Sequence, residues 1–550
     1  MPQITGSRTG TSQSDLFVGS LEIVDLTENL SDSGILTATI NSLGGDDTIE
    51  GIATFAPSAS DLNLSATGIS QSIIDSGAGN DTISGLGTAS GKLERFGTRG
   101  PIFSGNPTSV GLFRSSISAK EGNDTLTFTA RSNNGLTVVA TGIEDSVIDS
   151  GTGADTIEVS STASGRFDGT ATGSAASTIR GGEQQDSISI SANSGVGGAL
   201  GGGSVTVSGA QQSFISGDGD NDSIAIAASG SSSGSTVSGI LGSQVLGGSG
   251  NDTLSISTEG FSIGIRGTFG DSSSSIAVAQ NSVVDGGGGN DTIDIRSNGS
   301  ASSLTSYAVA NSTVRGGGGA DTISLTSAGS GFGNTQSFAA LNANINGGGD
   351  DDILEFTASA TAQQVTVAGA KDSTIRGGSG NDTITFSITG TTRTGADSAG
   401  IINSRIYGNS GNDTIRTTVN SNTSGGGAFA NYDIADALVF GGSGDDTFDV
   451  GIGNGTLRGG VGTDTAVLDY FNSNTMDVVA INNGIRITGS QTKLGEAGSW
   501  SQDIIEMEGY QVNGVTYTTD SLISVFGGTI PEVPEVPSFP EAVERLSAIA

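Results

Sequence analysis

An aspartate recurs every thirty or so residues along nearly the whole of this 550-residue chain, each time inside a short glycine-rich phrase. It stands at Asp47, Asp81, Asp124, Asp155, Asp186, Asp222, Asp252, Asp291, Asp321, Asp352, Asp382, Asp413, Asp446 and Asp464. The intervals run 34, 43, 31, 31, 36, 30, 39, 30, 31, 30, 31, 33 and 18 residues. The clearest copies read GGSGNDTLSI, GGGGNDTIDI and GGSGNDTITF, ending at Ile256, Ile295 and Phe386. Self-similarity at such a period signals a repeat architecture. Length alone would suggest several globular domains. A repeat instead grows in one dimension, each unit touching only its neighbours. It also copies one chemical feature along an axis, which points to a structural or cation-binding role more than to a single active site.

Aligned on the aspartate, the apolar residues fall into columns. Two places after it stand Ile83, Ile157, Leu254, Ile293, Ile323 and Ile384, and four places after it Phe128, Val159, Ile256, Ile295 and Phe386. That alternation is a strand with one buried face. Seven places before it stand Ile74, Ile148, Ile215, Val284, Val314 and Ile375, β-branched as a pleated surface prefers. A weaker strand precedes that one, as in SIAVA before Gln280. Each unit therefore predicts strand, Gly-Asp turn, strand, variable arc, strand. The fold class is all-β, a parallel β-solenoid of about 13 coils stacked at about 4.8 Å, a rod of roughly 60 Å. The glycine pair of each phrase is expected to take backbone angles that other residues avoid.

Residues 1–40 lack the phrase and read as an N-terminal cap, and 41–465 as the solenoid. Residues 466–530 hold the only Trp and half of the Tyr and read as a β-rich C-terminal cap. Residues 531–550 read as a Pro-rich tail ending in a short helix.

The net charge is −36 with a pI near 4.1, and there is neither Cys nor His. Disulfides and metal sites built on thiolate or imidazole are excluded. The charge argues against nucleic acid and anionic membrane surfaces and favours divalent cations. No stretch reaches the twenty apolar residues of a membrane span, and the opening MPQITGSRTG lacks a signal-peptide layout. The expectation is an extracellular or cell-surface protein exported by another route.

Stacked at about 4.8 Å, two carboxylates repel by roughly 0.9 kcal/mol in bulk water and several times more near an effective dielectric of 20. Repeated along a rod, that repulsion needs compensation. Either turn N–H groups hold each carboxylate, or cations sit between coils. Glycine turns leave carbonyl oxygens bare, and carbonyls with a carboxylate form the oxygen-only cage that Ca²⁺ takes at about 2.3–2.6 Å. The plainer alternative is an Asx-type turn without metal.

The phrase GGSGNDTLSI resembles the nonapeptide GGxGxDxUx of RTX, or haemolysin-type, calcium-binding proteins, a β-helix repeat. The resemblance spans roughly residues 41–470 and is closest at 247–255, 286–294, 316–324, 377–385 and 441–449. It implies Ca²⁺ as the cofactor. It implies ligands at Asp252, Asp291, Asp321, Asp382, Asp413 and Asp446, with Asp464 closing the interval of eighteen; Asp81 and Asp155 complete the candidate set. In that family nonapeptides usually run in tandem and turns line both edges of a flattened helix, whereas here one turn occurs per long coil. Gln184, Asp220 and Asp350 also replace a glycine of the phrase, and the long intervals after Asp81 and Asp252 are expected to disturb stacking. The resemblance further implies type I secretion, with the tail where a secretion signal would lie.

Nine places before the aspartate stands a serine column, Ser72, Ser115, Ser146, Ser177, Ser213, Ser243, Ser282, Ser312, Ser373 and Ser404, broken by Ala343 and Ala437. It reads as a tight bend whose hydroxyls bond coil to coil, or alternatively as a binding surface. The insertion after Asp81 carries Lys92, Arg95, Arg99 and Arg114, either neutralising its own acidic flank or docking an acidic glycan.

The leading function is a secreted or cell-surface calcium-binding structural protein, such as an adhesin, matrix or surface-layer component, folding as Ca²⁺ binds. Its partners would be calcium ions and either cell-surface polysaccharide or further copies of itself. The alternative is a polysaccharide-binding or polysaccharide-processing β-helix. No enzyme is expected, because there is no His and no Arg, Lys or Tyr cluster converges on one face in the sequence. A hydroxyl-ladder binder of ice or sugar is weighed against the threonines after each aspartate, which read as lying beside the turn.

Overall fold

The structure, a computed structural model, describes residues 3–26, 30–57, 62–95, 101–196, 203–232, 234–261, 273–423, 429–469, 476–493 and 496–526. It is a parallel β-solenoid of about 13 turns. A representative rung begins with the strand Thr253–Phe261, crosses a variable arc to Ser273–Gln280, bends into Val283–Gly288, and passes through the Gly-Asp turn into Thr292–Ala301. The strands of the rungs pair in parallel with their counterparts one repeat on, so Leu254 sits against Ile293 and Ile293 against Ile323. The three apolar columns read from the sequence are inside, with Ile74, Leu254, Ile256 and Val284 at most 1 % exposed.

Two corners shape each rung. At the first, the residue before the serine column takes a positive φ, for instance 50° at Asn281, 50° at Asn311 and 44° at Asn403. Asn tolerates that left-handed conformation better than most residues do. The serine hydroxyls then lock the bend. Ser282 Oγ donates to the Gln280 carbonyl at 2.8 Å and accepts the Ser243 N–H at 3.2 Å. The same pair of bonds recurs at Ser115, Ser146 and Ser373. The column is thus a structural clasp.

A further column, thirteen places before the aspartate, was not read from the sequence. Gly142, Gly173, Gly209, Gly239 and Gly369 lie in mid-strand, facing the apolar residue four places after the aspartate. A Cβ on Gly173 would fall 2.4 Å from Ile190 Cγ2, and one on Gly369 2.7 Å from Phe386 Cδ1. Missing side chains on one wall let the other wall's Ile or Phe reach its backbone. The rod stays thin and dry with few aromatics.

Parallel stacking begins within the first forty residues. Ile4–Thr9 pairs with Leu30–Asn41, and Leu16–Leu26 pairs with Thr48–Pro57. At the other end, the strands Met476–Ile481, Gly484–Lys493 and Glu496–Ile505 form an antiparallel meander. Its last strand returns to stack in parallel on Gly453–Val461, burying Trp500. Gly509–Val512 stacks on Thr465–Val467, and the helix Thr519–Phe526 follows. The insertion after Asp81 forms an antiparallel hairpin, Lys92–Arg95 with Pro101–Ser104, while Arg99 lies outside the described residues. So do the arc at 262–272 and the whole 531–550 tail.

Candidate metal centre

The Gly-Asp turn is built by two glycines with separate duties. In the phrase ending at Asp291, Gly287 and Gly289 have φ of 110° and 125°, and a Cβ on either would fall 1.9–2.0 Å from a carbonyl oxygen of the preceding rung. Only glycine meets both demands. The first glycine differs from the expectation for the pair. Gly286 is not in the positive-φ region; a Cβ there would lie 2.3 Å from the Asp291 Oδ2 and 2.5 Å from the Gly316 carbonyl. It is small because the carboxylate occupies its side-chain space. The replaced copies bend the path at the Gly289 position, since Gln184, Asp220 and Asp350 take φ of 80°, 68° and 68° in place of 125°, nearer the left-handed region that a side chain tolerates.

The aspartates point into the rod. All fourteen are at most 4 % exposed. Each Oδ1 accepts the backbone N–H of the aspartate one rung earlier: Asp81 from Asp47 at 2.8 Å, Asp155 from Asp124 at 2.7 Å, Asp291 from Asp252 at 2.7 Å, Asp464 from Asp446 at 2.9 Å. The chain of bonds crosses the long intervals unbroken, with Asp124 accepting from Asp81 at 2.7 Å. The insertions expected to disturb stacking leave this edge in register. Beside it the Asn column forms a second ladder of opposite sense, Asn290 N–H donating back to Asn251 Oδ1 at 2.7 Å and Asn412 N–H to Asn381 Oδ1 at 2.8 Å.

The other oxygen of each aspartate is the unusual group. Oδ2 of Asp47, Asp81, Asp124, Asp155, Asp186, Asp222, Asp252, Asp291, Asp321, Asp352, Asp382, Asp413, Asp446 and Asp464 is buried with no hydrogen-bond partner. Leaving a buried acceptor unsatisfied costs about 1–3 kcal/mol, more when it is charged. Burial pushes the acids up: Asp186 to about 8, Asp124, Asp222, Asp291, Asp352 and Asp413 to about 7, and Asp321, Asp382 and Asp446 to about 6. Asp47, Asp81, Asp155, Asp252 and Asp464 move in the same direction for the same reason. In each the donated backbone N–H pulls the other way and loses. Neighbouring carboxylates add to the rise at many rungs, as Asp155 and Asp81 do at Asp124.

This is the signature of a missing countercharge, and the donors around it suit a hard cation. Asp291 Oδ2 and the Gly316 carbonyl flank the empty side-chain space of Gly286, 2.3 and 2.5 Å from where its Cβ would stand. Two such oxygens are near enough to share an ion at about 2.3–2.6 Å. Among the described residues no three acidic side chains gather at one place. An ion here would draw on backbone carbonyls with one or two carboxylates. The nine candidates (Asp81, Asp155, Asp252, Asp291, Asp321, Asp382, Asp413, Asp446 and Asp464) lie in one line along one edge of the rod, with Asp124, Asp186, Asp222 and Asp352 between them and Asp47 before the first.

The ladder is longer than the glycine phrase revealed. Asp15 N–H donates to Asp47 Oδ1 at 2.6 Å, and Asp464 N–H donates to Glu508 Oε2 at 2.8 Å. Both ends differ chemically from the middle: Asp15 Oδ2 accepts the Thr11 N–H and hydroxyl of its own turn. The apolar residue two places after each, Phe17 and Tyr510, was the available signal. The turns at Asp47, Asp81 and Asp155 carry a serine, Ser42, Ser76 and Ser150, where later turns have the first glycine.

A family model of the RTX calcium-binding nonapeptide repeat (four copies) matches residues 72–87, 277–294, 310–326, 367–387, 401–428 and 437–466. Five of these six segments span a Gly-Asp turn on the ladder from Asp291 onward, and the sixth spans Asp81. No curated protein matches the chain as a relative. The chain thus carries turns similar to the RTX calcium-binding nonapeptide repeat, a motif whose ion is calcium, with one turn per long rung.

Proposed function

We propose that the chain is a calcium-stiffened structural rod acting outside the cell or on its surface, as an adhesin, matrix or surface-layer component, and that it is not an enzyme. One observation carries the reading: a single buried oxygen, the aspartate Oδ2, is left unpartnered at the same place in every rung from Asp47 to Asp464. An active site concentrates unlike groups at one point, whereas this chain repeats one group along an edge. The Oδ2 atoms of Asp81, Asp155, Asp252, Asp291, Asp321, Asp382, Asp413, Asp446 and Asp464 would hold calcium with turn carbonyls. The ion supplies the positive charge that the buried carboxylates lack. Binding energy then becomes folding energy. Calcium sites of extracellular modules have dissociation constants near 10⁻⁴–10⁻³ M, so such a rod would be loose inside a cell and rigid outside. Export by a type I system fits a repeat protein of this family.

Thermal melting followed by circular dichroism tests the reading. Chelator should lower the melting temperature sharply, millimolar Ca²⁺ should restore it, and Mg²⁺ at the same concentration should not, because it needs a smaller, rigid octahedron. A melting curve indifferent to chelator would overturn the proposal.

A further inference from the structure

The basic residues of this acidic chain are few, 21 Lys and Arg in 550, yet the strand that precedes the Gly-Asp turn gathers several on its outer side near the C-terminal end. In successive rungs Arg376 pairs with Tyr407, Tyr407 with Phe440, and Phe440 with Arg458. Two places earlier on the same face run Thr374, Arg405, Leu438 and Thr456. Arg405 and Arg458 are exposed, and Arg376, Tyr407, Leu438 and Phe440 are half-buried. The expectation that no Arg and Tyr cluster converges on one face therefore fails here. Rung stacking assembles residues that lie 31, 33 and 18 places apart.

The side chains hold one another in place. The Arg376 guanidinium lies 5.7 Å from the Tyr407 ring centroid, and that of Arg458 lies 5.1 Å from the Phe440 ring. The two rings meet edge to face at 6.4 Å. Arg376 is steadied by Asn344 Oδ1 at 2.9 Å and Arg458 by Glu506 at 2.6 Å. Cation–π pairs of this kind contribute about 0.5–1 kcal/mol at exposed sites, enough to order the rings. From Asn344 to Arg458 neither column contains a carboxylate. The result is a strip of about 14 Å, three steps of about 4.8 Å, with two ring faces bracketed by guanidinium groups.

We propose that this strip is a contact surface for a uronate-bearing polysaccharide. The C–H faces of a pyranose ring are apolar and match the parts of the Tyr407 and Phe440 rings that Arg376 and Arg458 leave uncovered. A planar guanidinium binds a carboxylate through two parallel N–H donors, which a lysine cannot do; this falls to the exposed Arg405, because both donors of Arg458 already hold Glu506, at 2.6 and 3.0 Å. Three arginines gather here on a chain of net charge −36, with exposed Asp372 and Asp436 at the bend beside them, so an acidic chain is drawn to the strip more than to an acidic face. On the first-strand face Thr322, Ser324 and Thr326 present hydroxyls, and the arginines nearby are paired within that face, Arg296 with Asp294 and Arg416 with Asp449. The proposal rests on the extracellular rod of the previous subsection and gives it a partner.

The test is a titration of the full chain in millimolar Ca²⁺ with three probes: hyaluronan oligosaccharides, neutral dextran, and polyglutamate, an anion without sugar rings. Hyaluronan should bind best. The triple variant Arg405→Glu, Tyr407→Ala, Phe440→Ala should lose at least tenfold in affinity, whereas Thr322→Ala on the other face should not. Equal binding of polyglutamate, equal binding of dextran, absence of hyaluronan binding, or full binding by the triple variant would each overturn the assignment. Calcium-dependent melting is read in the same samples, so failure of the rod and failure of the strip are separable. If the triple variant melts early, Arg405→Glu alone, fully exposed in its change, decides.

Discussion

The backbone N–H of Asp252 donates to Asp291 Oδ1 at 2.7 Å, and the second oxygen of that carboxylate is left buried without a partner. The two oxygens thus have different work. Oδ1 sets the register of one rung on the next, and Oδ2 creates a demand for positive charge. Separating these duties by substitution gives the sharpest test of the ladder.

Asp291→Asn keeps an oxygen for the Asp252 N–H and replaces Oδ2 with a neutral amide. In Ca²⁺ it removes one ligand and should destabilise; at a tenfold excess of calcium over its dissociation constant, one lost site is about 1.4 kcal/mol. In calcium-free solution at pH 8 the same change removes a buried charge and should be neutral or stabilising. Asp291→Ala loses the N–H acceptor as well and should destabilise in both conditions, by about 1–3 kcal/mol. Melting of the two variants with and without calcium checks this. Equal effects of Asp291→Asn in both conditions would show that Oδ2 carries no ion.

Stability of the calcium-free rod should rise on acidification. Burial holds nine of the ladder acids, Asp186, Asp291 and Asp446 among them, at about 6 to 8 and raises the other five, above the value near 3.9 of an exposed aspartate. The folded state therefore binds protons more tightly than the unfolded one. That contribution is complete below about pH 4 and is lost as pH rises through the folded values. Calcium-stripped protein should melt higher at pH 5 than at pH 8, and saturating calcium should flatten or reverse the trend, since the ion competes with the protons. A calcium-stripped rod most stable at pH 8 would contradict the buried, uncompensated ladder.

Much of this was legible because two periods coincide in the sequence. The thirty-residue spacing marks Asp252, Asp291 and Asp321 as equivalent, and the alternation after each marks Leu254 and Ile256 as inward. What stayed hidden was whatever did not repeat in kind. Asp15 sits in GTSQSD and Glu508 in EMEG, phrases without the glycine run, yet strand pairing places both on the ladder. The column of Gly209 and Gly239 is the exception: it repeats, but a residue without a side chain carries no inward or outward mark, and its thinning of the rod shows only in the structure. Arg376, Tyr407 and Phe440 differ in type at each step, so no column announced them.

The break in the serine clasp offers a gain of stability. Ala343 stands where Ser312 and Ser373 stand in adjacent rungs, and Ala343 N–H still donates to Ser373 Oγ at 3.1 Å. Ala343→Ser supplies an acceptor for the Ser312 N–H and a donor for the Leu341 carbonyl, the two bonds made at the other rungs. The expected gain is about 0.5–1.5 kcal/mol. Ser282→Ala should cost a similar amount, about 1 kcal/mol, because it removes both bonds from a buried site. Denaturant melts of the two variants in calcium check the pair. A destabilised Ala343→Ser would mean that this corner cannot admit the hydroxyl.

Three consecutive glycines should respond to alanine in a fixed order. At Gly288 a Cβ meets nothing within 4 Å, so Gly288→Ala should lie within about 0.5 kcal/mol of the parent. At Gly286 the Cβ would meet Asp291 Oδ2 at 2.3 Å, and relief requires the carboxylate to swing away. Gly286→Ala should cost about 1–3 kcal/mol and weaken calcium uptake at that turn. At Gly287 the Cβ would meet the Gly248 carbonyl at 1.9 Å with φ at 110°, so backbone strain adds to the clash and the penalty should be the largest of the three. The order Gly287, Gly286, Gly288 reads out in melting temperature with calcium present. In calcium-stripped protein at pH 5, where the Asp291 carboxyl is protonated, the clash at Gly286 remains but the loss of an ion does not. The gap between Gly286 and Gly287 should therefore widen there, and a gap that narrowed would argue that Oδ2 serves packing alone.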